Sequence, residues 1–299
     1  MRLSLIAASL FLCACAAVAP AVPAHDDAAV AGPFADNFPE WYRPAAPYRI
    51  IGNIYAVGPE GIGVFFIPTT QGHILIDGGL PENAPMIARN IETLGYRVQD
   101  VRILLNSHAH FDHSGGLAAL KELSGAELWA SEGDRSALEG GFYLGWEDRH
   151  EFDTPPVKVD RLVRDGDRVS LGGVTLRAAL TPGHTRGCTS WWMTAEQGGT
   201  SYETLFFCSA SVAANRLSGP PQYEGIVADY RSTFERMRGW RPDVFLANHP
   251  AVAGMGEKRA AQQAGDPLAF VERSGFPAFT EAAAADFEKK LAAAEAATD

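Results

Sequence analysis

The chain has no surplus of positive charge and no long apolar segment beyond its first residues. Lys and Arg number 25 against 36 Asp and Glu, which gives a net charge of −11 over 299 residues. A nucleic-acid partner is therefore not expected, because binding to phosphates needs a basic face. No run of like charges marks an interaction tail. After Leu12 no stretch is apolar enough to span a bilayer, so we expect no stable membrane insertion.

The N-terminus is typical of an export signal. A short basic start precedes an apolar stretch, residues 3–12, that is too short to cross a membrane. Small residues follow, and Val22-Pro23-Ala24 offers a cleavage site. We interpret residues 1–24 as a signal peptide and expect residues 25–299 to form a single periplasmic domain. The alternative is a lipid anchor at Cys15, because its surroundings are close to a lipidation motif.

Cysteine is scarce. The chain has four, and two of them, Cys13 and Cys15, fall in the predicted leader. Only Cys188 and Cys208 remain, near the facing ends of two successive predicted strands. An oxidising compartment permits such a pair to bond, and we predict a disulfide between them.

Metal-capable side chains are concentrated in one stretch, His108-Ala109-His110-Phe111-Asp112-His113. Residues 101–107 before it read as a buried strand, and residues 114–123 after it as a helix with apolar residues at helical spacing. The stretch therefore lies on a loop at the carboxyl end of a strand, where open α/β sheets place their sites. An extended His-x-His pair points both imidazoles to one side. Asp112 and His113 then turn around the helix start, so the stretch can serve two metal ions.

The rest of the chain repeats an order of strands followed by helices. We predict strands at 48–50, 54–57, 63–67, 72–79, 127–130, 169–171, 174–178, 190–193, 203–208 and 244–247, and helices at 85–94, around 230–237 and at 281–297. Residues 131–158 look irregular, as a binding loop would. This order predicts an α/β fold of two packed sheets with helices outside, in four layers.

Two more histidines follow predicted strands. His184 lies in the turn Thr181-Pro182-Gly183-His184-Thr185, and His249 follows a strand that ends at Ala247. Each alone would be an ordinary turn histidine. Together with the central stretch they are the missing third ligands of two metal sites. His73 begins a strand, and we interpret it as structural.

The order His-x-His-x-Asp-His, then Pro-Gly-His-Thr, then a late histidine resembles the metallo-β-lactamase superfamily, over roughly residues 45–275. The resemblance implies a four-layer αββα sandwich with two zinc ions per chain in the cleft between the sheets. It implies three protein ligands for each ion, which leaves room for water. They would be His108, His110 and His184 for the first zinc, and Asp112, His113 and His249 for the second.

One residue indicates which branch of the superfamily the chain resembles. Many hydrolases of the superfamily, such as the glyoxalase II type, carry an aspartate that bridges both metals. Here Ser209 stands at that place, which resembles the third subclass of metallo-β-lactamases. In the first subclass a cysteine binds the second zinc, and Cys208 is the candidate for that role. If Ser209 faces the cleft, however, strand alternation turns Cys208 away from it.

The resemblance implies a zinc-dependent β-lactamase in which a metal-bound hydroxide opens the ring of penicillins, cephalosporins and carbapenems. Asp112 would also orient the nucleophile. Ser209 and Ser211, two residues apart, would bind the substrate carboxylate, unless they are plain strand-end serines. Asp77 would support the histidine loop by hydrogen bonds, unless it only caps a turn. The Ser-x-x-Lys motif of serine enzymes is not evident in the sequence.

Two other functions stay open on the sequence. A lactone or thioester hydrolase on the same fold is disfavoured by the missing bridging aspartate and by the export signal. A non-catalytic, exported metal-binding protein is disfavoured by the open coordination positions. We expect a monomer whose partner is a small β-lactam molecule.

Overall fold

The computed structural model of the chain describes residues 32–297. The predicted signal peptide, residues 1–24, and the lipidation candidate Cys15 lie outside the described residues. Within the described range, no helix combines the length and the apolar character needed to cross a membrane.

Seven strands form the larger sheet. They are β1 (Tyr48–Ile51), β2 (Ile54–Ala56), β3 (Phe65–Thr69), β4 (Gly72–Ile76), β5 (Val101–Leu105), β6 (Glu127–Ser131) and β7 (Arg161–Val163), in that spatial order. The first four strands pair antiparallel, and β4 to β7 pair parallel. Parallel strands end at one edge of a sheet, so the loops after β4, β5 and β6 meet there.

Five strands form the smaller sheet. They are β8 (Arg168–Leu171), β9 (Val174–Leu180), β10 (Thr189–Gln197), β11 (Thr200–Phe207) and β12 (Val244–Ala247). Their spatial order is β12-β11-β10-β9-β8, and only β11 and β12 run parallel. The loops after β11 and β12 therefore leave the sheet side by side.

The two sheets pack face to face, as the alternation along β3 shows. The Phe65 ring lies edge-on to Phe206 of the smaller sheet, with 5.1 Å between the centroids. Its neighbour Phe66 points to the opposite face and belongs to a separate apolar cluster with Ile87 and Leu117. Each such side chain removed from water stabilises the fold by about 1.5–3 kcal/mol.

Helices cover both outer faces. They are α1 (Ala84–Thr93), α2 (Phe111–Ser114), α3 (Leu117–Ser124), α4 (Glu132–Gly140), α5 (Ile226–Arg238), α6 (Met255–Gln263) and α7 (Gly275–Ala296). Apolar side chains of α1 and α3 pack on the larger sheet. On the smaller sheet, the ring centroid of Phe276 in α7 lies 5.0 Å from that of Phe245 in β12. The ring centroid of Tyr230 in α5 lies 4.7 Å from that of Phe287 in α7. The predicted αββα sandwich is confirmed.

The structure differs from the predicted elements at several places. Residues 131–158 are not irregular throughout, because α4 occupies their first third. The sequence also missed β7 and α6, and it missed the first turns of α7. The helix predicted over 114–123 begins at Leu117 as α3, and the single turn α2 precedes it and ends at Ser114. They separate where Gly116 N donates to Gly79 O at 3.1 Å instead of continuing the helical ladder.

Candidate metal centre

The six predicted metal ligands converge at the edge where the strands of both sheets end. Five of them are buried, and His249 is 31% exposed at its side chain. They form two groups, within each of which all ligand atoms lie within 4.8 Å of one another. We call them the first trio (His108, His110 and His184) and the second trio (Asp112, His113 and His249).

Different loops supply each trio. The loop after β5 carries His108 and His110, and the loop after β9 carries His184. The single turn of α2 carries both Asp112 and His113, so the helix start redirects them from the preceding histidines. The loop after β12 carries His249. No trio is complete without both sheets, which is why the centre lies in the cleft between them.

The imidazoles of the first trio are uncharged near neutral pH. Burial is the main cause: it lowers the pKa of His184 to about 4 and lowers the pKa values of His108 and His110 well below the usual range. Neighbouring imidazoles lower the pKa values of His108 and His110 further. Neutral imidazole is the form that binds a metal ion.

The second trio contains a charge. Its carboxylate oxygen, Asp112 Oδ2, lies 3.2 Å from His113 Nε2 and 3.3 Å from His249 Nε2. Burial opposes ionisation, but the two histidines outweigh it and hold the pKa of Asp112 well below its usual range. Burial likewise opposes protonation of His249, and the Asp112 carboxylate outweighs it and raises the pKa of that imidazole. Asp112 is therefore a carboxylate at neutral pH.

Hydrogen bonds behind the imidazoles determine which nitrogen faces the centre. The Nδ1–H of His184 donates to the carbonyl oxygen of Ser211 at 2.7 Å. The Nδ1–H of His249 donates to the carbonyl oxygen of Gly61 at 3.2 Å. With the proton placed on Nδ1 by these partners, each neutral ring presents its Nε2 lone pair to the centre.

The donor sets fit metal cations. The Nε2 atoms of His108 and His184 lie 3.2 Å apart, as do those of His113 and His249. Lone pairs that face each other at this distance repel unless a cation lies between them. Tetrahedral ligands about 2.0–2.1 Å from zinc lie roughly 3.3–3.4 Å from one another. Imidazole nitrogen and carboxylate oxygen, at these spacings, form a donor set suited to zinc.

Asp77 lies behind the first trio. Its carboxylate accepts hydrogen bonds from Ser107 N and Ser107 Oγ, both at 2.6 Å, and from Asn106 Nδ2 at 3.2 Å. Because the Ser107 hydroxyl proton goes to Asp77, its oxygen accepts from the Nδ1–H of His108 at 3.1 Å. Asp77 also has the left-handed backbone φ of 64°, which turns the chain out of β4. These contacts place it where a supporting residue is expected.

Ser209 and Ser211 follow β11 and lie on one side, with 3.4 Å between their hydroxyl oxygens. Ser209 is buried and Ser211 is exposed. The Ser211 backbone has a role that the sequence did not suggest, because its carbonyl orients His184. It also accepts a hydrogen bond from the Tyr230 hydroxyl at 2.7 Å. Binding of a substrate carboxylate by the two hydroxyls stays a prediction.

The structure joins Cys188 to Cys208 by a disulfide that closes a sequence separation of 20 residues. Cys208 Sγ lies 3.6 Å from Nδ1 of His108. A bonded sulfur is not the thiolate that zinc binds, so this geometry offers no support for Cys208 as a metal ligand.

The disulfide gives a direct prediction for protein that begins at residue 25. Alkylation of the denatured, unreduced protein should label no thiol, because Cys188 and Cys208 are the only cysteines in that segment. Reduction should expose both and lower the free energy of unfolding by about 3 kcal/mol, as expected for a closed loop of this size. Two labelled thiols before reduction would contradict the pairing.

Aromatic rings that the sequence did not assign to the site cover its ligands. Tyr143 stacks on His110 with 4.1 Å between centroids and 14° between planes. Trp41 stacks on His249 with 5.5 Å between centroids and 27° between planes. Nothing in the local sequence around Tyr143 signals this contact, because it arises only when the segment after α4 folds over the cleft.

Comparisons with known proteins agree with this architecture. The family described as the metallo-beta-lactamase superfamily matches residues 57–249. The chain belongs to the metallo-beta-lactamase superfamily.

Two solved structures show the branch that the chain resembles. One is BJP-1, a subclass B3 metallo-beta-lactamase of Bradyrhizobium japonicum, with TM-score 0.86 and 47% identity over 89% of this chain and 100% of that one. Another is the FEZ-1 metallo-beta-lactamase from Legionella gormanii, with TM-score 0.82 and 34% identity over 84% of this chain and 97% of that one. The predicted resemblance to the third subclass is confirmed.

Curated relatives at the sequence level include a hydroxyacylglutathione hydrolase of Rhodospirillum rubrum. It is 33% identical over 164 residues, which are 55% of this chain and 51% of the relative. The chain thus spans about half the length of the curated relatives it matches.

Proposed function

We propose that the chain is a zinc-dependent hydrolase that opens the β-lactam ring, with one zinc ion held by each trio. The metal sites rest on one observation: in each trio, two imidazole Nε2 atoms lie 3.2 Å apart. This spacing matches that of two ligands on one zinc ion, and three protein ligands per ion are the pattern of catalytic zinc.

The metal ions and the side chains around them would have different roles in hydrolysis. Bound zinc supplies Lewis acidity and a water of lowered pKa. The Asp112 carboxylate, ionised and buried, would accept a hydrogen bond from that water and orient it. Ser209 and Ser211 would hold the substrate carboxylate. The rings of Tyr143 and Trp41 cover ligands of the first and second trio, and would limit water access to them.

Two findings support a β-lactam over other substrates. The first is likeness to BJP-1 at 47% identity over that protein's whole length. The second is a serine, Ser209, at the position of the bridging aspartate. We therefore favour a β-lactam as the substrate, because the likeness to BJP-1 has a higher identity and covers more of the relative than the likeness to the hydroxyacylglutathione hydrolase.

A thioester is the second candidate substrate. It is supported by the 33% identity to a hydroxyacylglutathione hydrolase. That likeness covers 51% of the relative, so it leaves half of that protein without a counterpart in the alignment. A lactone would present the same electrophilic carbonyl to the same centre.

A substrate panel tests the proposal. Zinc-loaded protein that begins at residue 25 should hydrolyse a chromogenic cephalosporin, a penicillin and a carbapenem faster than a lactone or a hydroxyacyl thioester of glutathione. Chelation should abolish turnover, and added zinc should restore it. Folded protein with two zinc ions that cleaves only the lactone or the thioester would refute β-lactam hydrolysis. Loss of all activities in such protein would indicate a non-catalytic metal-binding protein.

A further inference from the structure

One buried carboxylate, Asp134 at the start of α4, joins the two loops that carry the first trio. Its Oδ2 accepts hydrogen bonds from Ala109 N at 3.0 Å and from Thr185 Oγ1 at 2.9 Å. Its Oδ1 accepts from Gly187 N at 2.9 Å. Ala109 lies between His108 and His110 in the chain, and Thr185 directly follows His184. The side chain therefore bridges segments that are separated by more than seventy residues in sequence.

The backbone of the loop after β9 packs closely against the start of α4. Ser131 Oγ donates to the carbonyl oxygen of Gly187 at 2.6 Å, so the start of α4 binds Gly187 from both sides of its peptide. A Cβ atom at Gly187 would lie 2.6 Å from Asp134 Cγ, and one at Gly133 would lie 2.7 Å from Gly187 N. The close approach fixes the distance between α4 and the loop after β9.

This arrangement differs from the support that Asp77 gives. The Asp77 carboxylate, in the loop after β4, hydrogen-bonds to one ligand-carrying loop, the loop after β5, where Ser107 links it to His108. The described hydrogen bonds of the Asp134 carboxylate all go to the two loops of the first trio, and none goes to the loop that carries His249. A change at Asp134 should therefore act on one trio and leave the other unaffected.

We propose that Asp134 is a positioning residue for the first metal site. By accepting from both loops it sets the separation of His184 from His108 and His110, so that three imidazole nitrogens converge on one point. The inference rests on the first trio as a metal site, which is part of the proposed function, and is independent of the bond that the enzyme cleaves.

The test replaces Asp134 by asparagine, which keeps the shape of the side chain. Because one oxygen accepts from two donors and the other from one, an amide group in either orientation must face at least one donor. Weakened support of this kind typically lowers metal affinity by about 10–100-fold. We expect that loss at the first trio only.

Two variants allow zinc binding to each trio to be measured separately. His249→Ala leaves the first trio complete, and His184→Ala leaves the second complete. Metal-free protein in each background is titrated with zinc in competition with a chromophoric chelator. Asp134→Asn should weaken zinc binding about 10–100-fold in the His249→Ala background and leave it unchanged in the His184→Ala background. The exposed Asp148→Asn is the matched control and should change neither constant.

Thr185 provides an independent variant pair. Thr185→Val removes one of the three donors to Asp134, and Thr185→Ser keeps the hydroxyl. Zinc affinity of the first trio should fall in the valine variant, by less than in Asp134→Asn, and should return in the serine variant. If Asp134→Asn does not fold, this pair decides the question by the same titration.

Three results would overturn the proposal. They are unchanged zinc affinity of the first trio in folded Asp134→Asn, equal weakening of both trios, or equal affinities for Thr185→Val and Thr185→Ser. Equal weakening would assign Asp134 to general stability of the fold. Failure to hydrolyse β-lactams would not affect these titrations, so it would reject the proposed substrate and leave the role of Asp134 to be judged separately.

Discussion

Replacing Asp112 with asparagine should lower turnover of a β-lactam by about 10²–10⁴-fold, the range that a positioned acid or base contributes. The carboxylate lies within 3.3 Å of both imidazoles of the second trio, and its low pKa keeps it charged at neutral pH. Asparagine has the same shape but no charge. The second trio would then bind a zinc ion through two neutral imidazoles and an amide, without a negative charge. The nucleophile would also lose the carboxylate that orients it.

Turnover and zinc content, measured on the same sample, separate the two effects of this replacement. Ser209→Ala is the matched comparison, because Ser209 is buried nearby and is predicted to bind substrate without holding a metal. Its loss in turnover should be smaller and should appear mainly in KM. Asp112→Asn with two zinc ions and turnover close to that of the unchanged protein would show that the carboxylate is dispensable, and would remove Asp112 from both roles.

The parts of the site that are local in sequence could be predicted. His108, His110, Asp112 and His113 share a six-residue stretch, and the boundary of one strand and one helix turn is enough to orient them. Asp134 could not be predicted in the same way. Its significance depends on contact with Ala109 and Thr185, which no local pattern encodes.

The same distinction holds for the fold. Short runs of buried apolar residues made most strands predictable, because the sheets pack on each other and helices cover their outer faces. The helices that were missed bury little: α4 buries one charged residue and two small or medium apolar ones, and α6 buries only Met255. With so few apolar positions, helical periodicity is not visible in the sequence. α4 forms nonetheless, and it carries the carboxylate that joins the loops of the first trio.

Replacing His249 with alanine should reduce the zinc content from two ions to one and abolish most β-lactam turnover. His249 belongs only to the second trio, and its Nδ1–H is held by the Gly61 carbonyl. The first trio keeps all three imidazoles, so its affinity for zinc should stay close to that of the unchanged protein. The measurement is zinc stoichiometry by elemental analysis, together with chelator competition on metal-free protein.

The matched control is His184→Ala, which removes a ligand of the first trio by the same chemical change. It should leave the second trio, with its charged Asp112, as the site that retains zinc. The melting temperature of each metal-free variant checks for loss of packing, since His249 also supports the Trp41 ring. If His249→Ala and His184→Ala both lose the two ions together, the division into two ligand sets is wrong. Hydrolysis of β-lactams by the unchanged protein could still stand, but on a centre that binds its two metals as one unit.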